Sequence, residues 1–263
     1  MFETIDYGVE DGIATIRLNR PDRRNAVNHA MHLELPLVWR AFDRDPAARV
    51  AILTGAGDNS FCTGADIADL PRPDKQEGHH AIRWTCLQNR TWKPVICAVN
   101  GLTVGGGLHF VADADIVLAA DHASFCDSHV SVGLVSGLEP LSLRHRMPLG
   151  ALLRLVLVGN GERLSAHRAR ELGLVGEVVP GDRLLPRARE LATLVARNCP
   201  AALAASKKII WQSLNQPMDA ALDHAWQVIM AHNRGPDFAE GIAAFREGRP
   251  PRWQPPAPGG DDD

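Results

Sequence analysis

The chain has 263 residues, of which 45% are hydrophobic, and its formal net charge at pH 7 is −3. A chain of this length and composition can bury one sizeable core with a small appendage. The slightly negative charge, without any block of like charges, argues against nucleic-acid binding.

The first residues lack the features of a secretory signal, and no apolar run approaches the length of a membrane span. The five cysteines form neither a CxxC pair nor a zinc-ligand spacing, and their odd number fits reduced thiols. These features predict a soluble, cytoplasmic protein with no metal site and no membrane attachment.

The N-terminal part alternates strand and helix patterns. Residues 4–7 and Ile13–Leu18 are predicted to form a hairpin. Asn28 is predicted to cap a helix that ends near Phe42. Because proline removes a helical hydrogen bond, Pro36 should kink this helix or divide it in two.

The middle of the chain has two further strand patterns, at residues 50–53 and 95–99. Between them, residues 70–78 are rich in Pro, Gly and charged residues, which predicts a mobile loop. A helix is predicted over residues 105–112 and a strand over residues 115–119. Strands separated by helices indicate an α/β fold.

After Gly137 the pattern is helical, except for a brief strand within residues 174–179. Pro200 and Pro217 lie where helices should start, because proline is tolerated in a first turn. The final residues contain only Pro, Ala, Gly and Asp, which predicts disorder. The predicted organisation is a core over residues 1–200, a helical region over 201–253 and a disordered tail over 254–263.

Two glycine-bearing segments carry the strongest chemical signal. The first is Phe-Cys-Thr-Gly-Ala-Asp-Ile at residues 61–67, and the second is Asn-Gly-Leu-Thr-Val-Gly-Gly-Gly at residues 100–107. Each follows a β-branched run, so each is predicted to lie where a strand turns toward a helix. A backbone N–H at such a turn can hydrogen-bond a carbonyl oxygen that gains negative charge. The pair therefore predicts two halves of an oxyanion hole for a thioester.

These two segments, in this order, resemble the enoyl-CoA hydratase/isomerase family, or crotonase superfamily. The resemblance covers about residues 10–250. It includes an LNRP…NA pattern at residues 18–26, a GxxxSAxxAxxxGLV pattern at 161–175 and an EGxxAF pattern at 240–245. It implies a crotonase-type spiral of β-β-α turns and a C-terminal helical trimerisation region.

By this resemblance, the oxyanion-hole donors are the backbone N–H groups of Ala65 and Gly106. Asp66 is interpreted as a structural residue at a helix start. Arg20, Arg23 and Arg24 either meet the phosphates of coenzyme A or belong to a solvated charged loop. The coenzyme contacts implied by the resemblance are Arg24, Asn25, Ala26, Ala65, Asp66, Ile67, Ala68 and Gly106.

Two histidines stand where the resemblance implies catalytic glutamates. His109 lies one helical turn after Gly106 and roughly on the same face. His129 falls at the second glutamate position, because Phe125 and Gly133 frame it with the family's loop length. The hypothesis is that both imidazoles transfer protons, since histidine titrates near neutrality. The alternative is that both are pocket-wall residues without a proton role.

Two acids are alternative bases. Asp127 lies two residues before His129 and, in an extended stretch, would share its face and orient its ring. Glu139 lies just past the loop that shapes the acyl pocket and is either a catalytic carboxylate or a helix-start residue. The catalytic candidates are therefore Ala65, Gly106, His109, His129 and Glu139.

The resemblance implies an acyl-CoA enzyme, nominally a hydratase that adds water to a trans-2-enoyl-CoA. Alternatives on the same fold are an enoyl-CoA isomerase, which needs one shuttling base, and a thioester hydrolase or decarboxylase. An alternative of another class is a non-catalytic acyl-CoA-binding protein, which the missing glutamate pair favours. Coenzyme A is expected as part of the substrate, with no separate cofactor. The implied assembly is a homotrimer or a dimer of trimers.

Overall fold

A computed structural model describes residues 2–70 and 78–255 of the chain. Most of the predicted mobile loop, residues 71–77, and residues 256–263 of the predicted tail lie outside the described residues. Strands β1 (Ile5–Glu10) and β2 (Ile13–Leu18) pair antiparallel and form the predicted hairpin. Its turn contains Gly12 with a φ of +79°, a backbone conformation that favours glycine.

Helix α1 (His29–Arg44) is one continuous helix, so the prediction that Pro36 divides it is wrong. Asn28 caps the helix as predicted, because its side chain accepts a hydrogen bond from the N–H of Met31 at 3.0 Å. One apolar stripe of α1 is fully buried, and this burial offsets the hydrogen bond that the proline removes. The stripe consists of Met31, Leu35, Val38, Trp39 and Phe42.

The remaining strands of the described chain build two sheets. They are β3 (Val50–Gly55), β4 (Ser60–Cys62), β5 (Val95–Val99), β6 (Leu102–Val104), β7 (Ile116–Ala120), β8 (Ser124–Cys126), β9 (Leu164–Ser165) and β10 (Glu177–Val179). The larger sheet has the order β1-β2-β3-β5-β7-β10, and the smaller sheet has the order β4-β6-β8-β9. Each of the pairs β3–β4, β5–β6 and β7–β8 contributes one strand to each sheet. This arrangement is the predicted β-β-α spiral.

The helices after α1 follow the sequence pattern closely, and the fold is the predicted α/β crotonase type. They are α2 (Leu108–Asp113), α3 (Leu138–Leu143), α4 (Leu149–Val158), α5 (Ala166–Glu171), α6 (Leu184–Ala196), α7 (Pro200–Ser213), α8 (Met218–His232) and α9 (Pro236–Glu247). The helix expected from Gly105 begins as a 3-10 turn over Gly105–Gly107 before α2. The short strand β9 interrupts the helical region and was not predicted.

The larger sheet forms the centre of the core. All residues of β3 and β5 are buried, and α6 packs against both strands. A strand covered on both faces needs an unbroken apolar run rather than alternation, as these two sequences have. No helix of the described residues is long and apolar enough to cross a lipid bilayer.

Strands β4, β6 and β8 are parallel neighbours, so their carboxyl ends lie at one edge of the smaller sheet. The residues that follow these ends are Gly64 and Ala65, then Gly105 and Gly106, then Asp127. Three segments that are distant in sequence therefore converge at one place, as ligand-binding residues do at the carboxyl ends of parallel strands.

The C-terminal helices α7, α8 and α9 present a large apolar surface. Helix α7 is fixed to the core through Asp115, whose carboxylate lies 2.9 Å from Lys207 Nζ and accepts from Trp211 Nε1 at 2.9 Å. The large exposed apolar residues of these helices are Ile210, Met218, Leu222, Trp226, Ile229, Met230, Phe238, Ile242 and Phe245. Exposed apolar residues in this number are typical of surfaces that take part in protein–protein contacts.

Candidate active site

The first glycine turn is held by a parallel bridge between Val27 and Ala65. The N–H of Val27 donates to the Gly64 carbonyl at 2.8 Å, and the N–H of Asp66 donates to the Val27 carbonyl at 2.9 Å. Because successive N–H groups of an extended chain point to opposite sides, the N–H of Ala65 faces away from Val27. Ala65 is exposed, so this N–H is available to a ligand.

The two glycine turns touch each other through their backbones. Gly64 has a φ of +81°, and a Cβ on it would lie 2.9 Å from both the Gly106 nitrogen and the Val104 oxygen. A Cβ on Gly107 would lie 2.3 Å from the Cys62 oxygen. Both glycines are therefore required by close backbone approach.

The second donor candidate, Gly106, lies beneath an aromatic ring. It is the second residue of the 3-10 turn, where backbone N–H groups have no partner within the helix. A Cβ on Gly106 would lie 2.8 Å from Cζ3 of Trp84. The N–H groups of Ala65 and Gly106 thus belong to adjoining turns, and their role as an oxyanion hole stays a prediction.

Glu139 lies between the two candidate histidines. Its Oε1 is 3.3 Å from His109 Nε2 and 3.7 Å from His129 Nε2. The side chains of His109 and Glu139 are 4% and 9% exposed, whereas that of His129 is 20% exposed. Glu139 also lies in the first turn of α3, as the helix-start interpretation predicts, and its catalytic role stays a prediction. The structure brings all three predicted proton carriers into one cluster.

Asp127 orients His129, but through a turn rather than the extended stretch that the sequence suggested. Its Oδ1 accepts from the His129 backbone N–H at 3.0 Å and lies 2.7 Å from His129 Nδ1. Ser136 donates its hydroxyl to Oδ2 of the same carboxylate. Asp127 is fully buried, so these contacts fix the imidazole of His129 with its Nε2 toward Glu139.

The charges of this cluster follow from its contacts. The hydrogen bond that His129 donates to Asp127 raises the pKa of His129, and this outweighs the opposite effect of burial. Burial raises the pKa of Glu139, but His109, a backbone N–H and His129 together hold that pKa below its usual value. Burial likewise opposes ionisation of Asp127, yet hydrogen bonds from His129 and Ser136 keep its pKa low. The cluster therefore favours ionised carboxylates beside a protonated His129.

His109 has a buried nitrogen without a partner. No hydrogen bond reaches its Nδ1 from the described residues. Trp84 packs its ring edge-to-face against the imidazole, with centroids 6.1 Å apart. The two nitrogens of this ring therefore have different surroundings, with Nε2 3.3 Å from the Glu139 carboxylate and Nδ1 without a partner.

Asp66 is a structural residue as predicted, but it does not start a helix. Its carboxylate lies 2.9 Å from Arg20 Nη1 and accepts from the Ala68 N–H at 3.1 Å, within a turn. Arg20 is therefore occupied by Asp66 and by the carbonyl of Ala26. This pairing leaves the exposed Arg23 and Arg24 as the arginines that can meet a phosphate in this loop.

The Asn25 side chain holds the loop together. Its Oδ1 accepts from the Arg20 N–H at 3.0 Å, and its Nδ2 donates to the Ala56 carbonyl at 2.9 Å. The backbone N–H groups of Asn25 and Ala26 donate within the same loop, to the carbonyls of Arg20 at 2.9 Å and Arg23 at 3.0 Å. Ile67 is 78% exposed beside the first glycine turn. The coenzyme contacts of this region stay predictions.

Sequence reasoning missed Ser136 as part of the site, and it left open whether Trp84 lines the pocket or belongs to the core. Trp84 contacts both Gly106 and His109 and donates its Nε1–H to His32 Nδ1 at 2.9 Å. An isolated tryptophan resembles any core residue in sequence, so no local pattern marked it. Ser136 lies nine residues after Asp127, but nothing in the sequence of the intervening loop predicts the hydrogen bond between the two side chains.

The spiral of β-β-α turns and the two adjoining glycine turns are the features that the family resemblance implied for this chain. The family model described as enoyl-CoA hydratase/isomerase matches residues 8–256. The chain belongs to the enoyl-CoA hydratase/isomerase family and is an enzyme of that family.

Similar proteins extend over nearly the whole chain. A mevalonyl-coenzyme A hydratase of Aspergillus fumigatus is 35% identical over 92% of this chain and 92% of its own length. An (E)-benzylidenesuccinyl-CoA hydratase of Thauera aromatica is 32% identical over 94% of this chain and 97% of its own. The crystal structure of an enoyl-CoA hydratase/isomerase from Mycobacterium paratuberculosis superimposes with a TM-score of 0.89, at 40% identity, over 97% and 99% of the two chains.

Proposed function

We propose that this enzyme adds water reversibly to the double bond of a 2-enoyl-CoA. The observation that carries the proposal is the position of Glu139, whose Oε1 is 3.3 Å from His109 Nε2 and 3.7 Å from His129 Nε2. Hydration needs a group that accepts a proton from water and a group that donates one to carbon. The two relatives that are hydratases of CoA thioesters support the same reaction type.

The thioester oxygen would be bound by the N–H groups of Ala65 and Gly106. Attack at C3 sends the π electrons of the C2–C3 bond toward this oxygen, which becomes an enolate. Donors that already point at the oxygen stabilise the enolate without reorganisation. Coenzyme A enters this scheme only as part of the substrate, so no separate cofactor is required.

Proton transfer would use the charges already present in the cluster. Glu139, or His109 beside it, accepts a proton from water as the water oxygen bonds to C3. The protonated His129 then donates its proton to C2, and the carbon–carbon double bond is replaced by a C–O and a C–H bond. Because Glu139 lies between the imidazoles, the proton taken from water can return to His129 and restore the starting state.

Incubation of the purified protein with crotonyl-CoA and longer trans-2-enoyl-CoAs tests the proposal. Hydration lowers the enoyl-thioester absorbance and yields a product heavier by one water. If the protein binds these thioesters but converts none of them, the hydratase proposal fails.

An isomerase is the second candidate, and the same carboxylate favours it. A single oxygen of Glu139 within reach of both imidazoles can carry one proton between two carbons of a dienolate. Isomerisation leaves the product mass unchanged, whereas hydration adds one water. With a 3-enoyl-CoA in D₂O, an isomerase would form the 2-enoyl isomer and a hydratase would leave the substrate unchanged.

The pH profile tests the proposed role of His129 as the proton donor. Activity should fall on the alkaline side as His129 loses its proton, and Asp127 raises the pKa of that imidazole. In Asp127→Asn the negative charge is absent, so the alkaline limb of kcat/KM should move to lower pH. Ser136→Ala is the matched control, because it removes a hydrogen bond to Asp127 and leaves the carboxylate beside His129. If the alkaline limb of kcat/KM were at the same pH in Asp127→Asn as in the wild type, His129 would not be the proton donor.

We also infer that the apolar surface of α8 and α9 is covered by other copies of this chain, in a homotrimer or a dimer of trimers. Trp226 is 63% exposed and Phe245 is 89% exposed on these helices. Sedimentation equilibrium should therefore give three or six times the chain mass. Trp226→Glu should lower this mass, whereas Arg170→Glu on the exposed face of α5 should not. A monomeric wild-type protein would contradict the inference.

A further inference from the structure

A cavity of about 920 Å³ borders His109. Helix α1, residues 78–91 and α3 form its wall. None of the described coenzyme candidates at residues 24–26 and 65–68 lines it. If the thioester carbonyl binds between the glycine turns, the acyl chain beyond C3 passes His109 and enters this cavity. The cavity therefore receives the distal end of the acyl group.

The charged groups on the cavity wall are mainly basic. Four arginines, Arg40, Arg44, Arg83 and Arg90, line the cavity together with two acidic residues, Asp43 and Asp113. Asp113 does not neutralise them fully, because it is buried and accepts from Thr85 Oγ1 at 2.6 Å. Burial also raises its pKa. The cavity thus carries excess positive charge beside an apolar approach formed by Ile82, Leu138 and Leu141.

Two of these arginines are available to a ligand. Arg40 and Arg83 are exposed at the cavity, and neither forms an ion pair within residues 2–70 and 78–255. A guanidinium binds a carboxylate through two parallel hydrogen bonds, a geometry that no apolar acyl terminus can supply. An entirely apolar acyl chain would instead displace water from both guanidinium groups without replacing its hydrogen bonds.

We propose that the substrate is a 2-enoyl-CoA whose acyl group ends in a carboxylate, and that Arg83, assisted by Arg40, binds this carboxylate. The proposal rests on the proposed function, because hydration at C2–C3 fixes which end of the acyl group enters the cavity. The apolar side chains of Ile82, Leu138 and Leu141 would contact the methylene groups between the reacting carbons and the carboxylate.

Two substrates of equal chain length test the proposal. Trans-2-hexenoyl-CoA ends in a methyl group, and trans-5-carboxy-2-pentenoyl-CoA ends in a carboxylate. Wild-type kcat/KM should be about tenfold to a hundredfold higher for the carboxylate, the range expected of one hydrogen-bonded charge pair. Arg83→Gln should abolish most of this preference while leaving kcat/KM for hexenoyl-CoA within about twofold. Arg83→Lys should keep part of it.

Arg170→Gln is the matched control, because this arginine is exposed on α5 and does not line the cavity. It should leave the preference between the two substrates unchanged. Equal kcat/KM for both substrates in the wild type, or equal losses for both in Arg83→Gln, would overturn the proposal.

Binding of saturated thioesters separates this proposal from the reaction assigned above. Adipoyl-CoA carries the terminal carboxylate and hexanoyl-CoA does not, and neither can be hydrated. Calorimetry should give a lower Kd for adipoyl-CoA, with the difference lost in Arg83→Gln. If adipoyl-CoA binds more tightly through Arg83 but no enoyl-CoA is converted, the hydratase proposal fails and the carboxylate site is supported. If Kd is the same for both thioesters while hydration proceeds, the carboxylate site fails alone.

Discussion

Glu139→Gln is expected to lower kcat/KM for hydration by about 10²–10⁴-fold, the usual contribution of a positioned acid or base. Glutamine has nearly the same shape as glutamate but cannot take up a proton. It also removes the negative charge that lies within 3.7 Å of both His109 Nε2 and His129 Nε2. The affinity for butyryl-CoA should change little, because the glycine turns do not involve this side chain. Initial rates with crotonyl-CoA and calorimetry with butyryl-CoA measure the two quantities.

Glu171→Gln is the control for this substitution. Glu171 is an exposed residue of α5 that pairs with Arg168, so its loss should leave the rate and the melting temperature nearly unchanged. If Glu139→Gln kept the wild-type rate, Glu139 would be a helix-start residue only. Proton transfer would then rest on His109 and His129.

Gly64→Ala is expected to reduce kcat by about 10²–10³-fold, the loss seen when one oxyanion-hole donor is removed. The φ of Gly64 is +81°, and the new Cβ would lie 2.9 Å from the Gly106 nitrogen and the Val104 oxygen. The two glycine turns would therefore move apart, and their N–H groups would no longer converge. Steady-state rates and thermal denaturation should be measured together.

Gly64→Ala combines an unfavourable positive φ with a steric clash, and Gly248→Ala is the control that has the unfavourable φ alone. Gly248 has a φ of +65°, but a Cβ on it would meet nothing within 4 Å. It should therefore lose about 1–2 kcal/mol of stability from the left-handed conformation alone, with no loss of kcat. If Gly64→Ala does not fold, Gly106→Ala provides the same test, because its Cβ would displace the ring of Trp84. Full activity in both Gly64→Ala and Gly106→Ala would rule out an oxyanion hole formed by the two glycine turns.

Much of the fold could be predicted because its signals are local. The Asn28 cap, the buried run of β5 and the proline at the start of α7 each depend on a few neighbouring residues. The prediction failed where tertiary contacts outweighed a local preference. Pro36 does not break α1, because the apolar stripe of the helix is buried on both sides of it.

The types of residue at the site could be predicted from the amino acids alone. Glycines at positions 64 and 106, and imidazoles where the family resemblance implies carboxylates, could be read without coordinates. Glycine is informative in this way because positive φ and close backbone approach exclude other residues. The same reasoning predicted that Asp127 orients His129, although it assumed an extended stretch instead of a turn.

The grouping of these residues in space could be seen only in the tertiary structure. Glu139 is 30 residues from His109 in sequence, yet its carboxylate lies 3.3 Å from that imidazole. The contact exists because β6 and β8 are parallel neighbours whose carboxyl ends meet at one edge of the smaller sheet. The contact between Glu139 and His109 cannot be predicted from their sequence spacing, because it depends on strand order and on how α3 packs against α2. The residue types follow from the sequence, and their grouping into one cluster follows from the packing of the strands and helices.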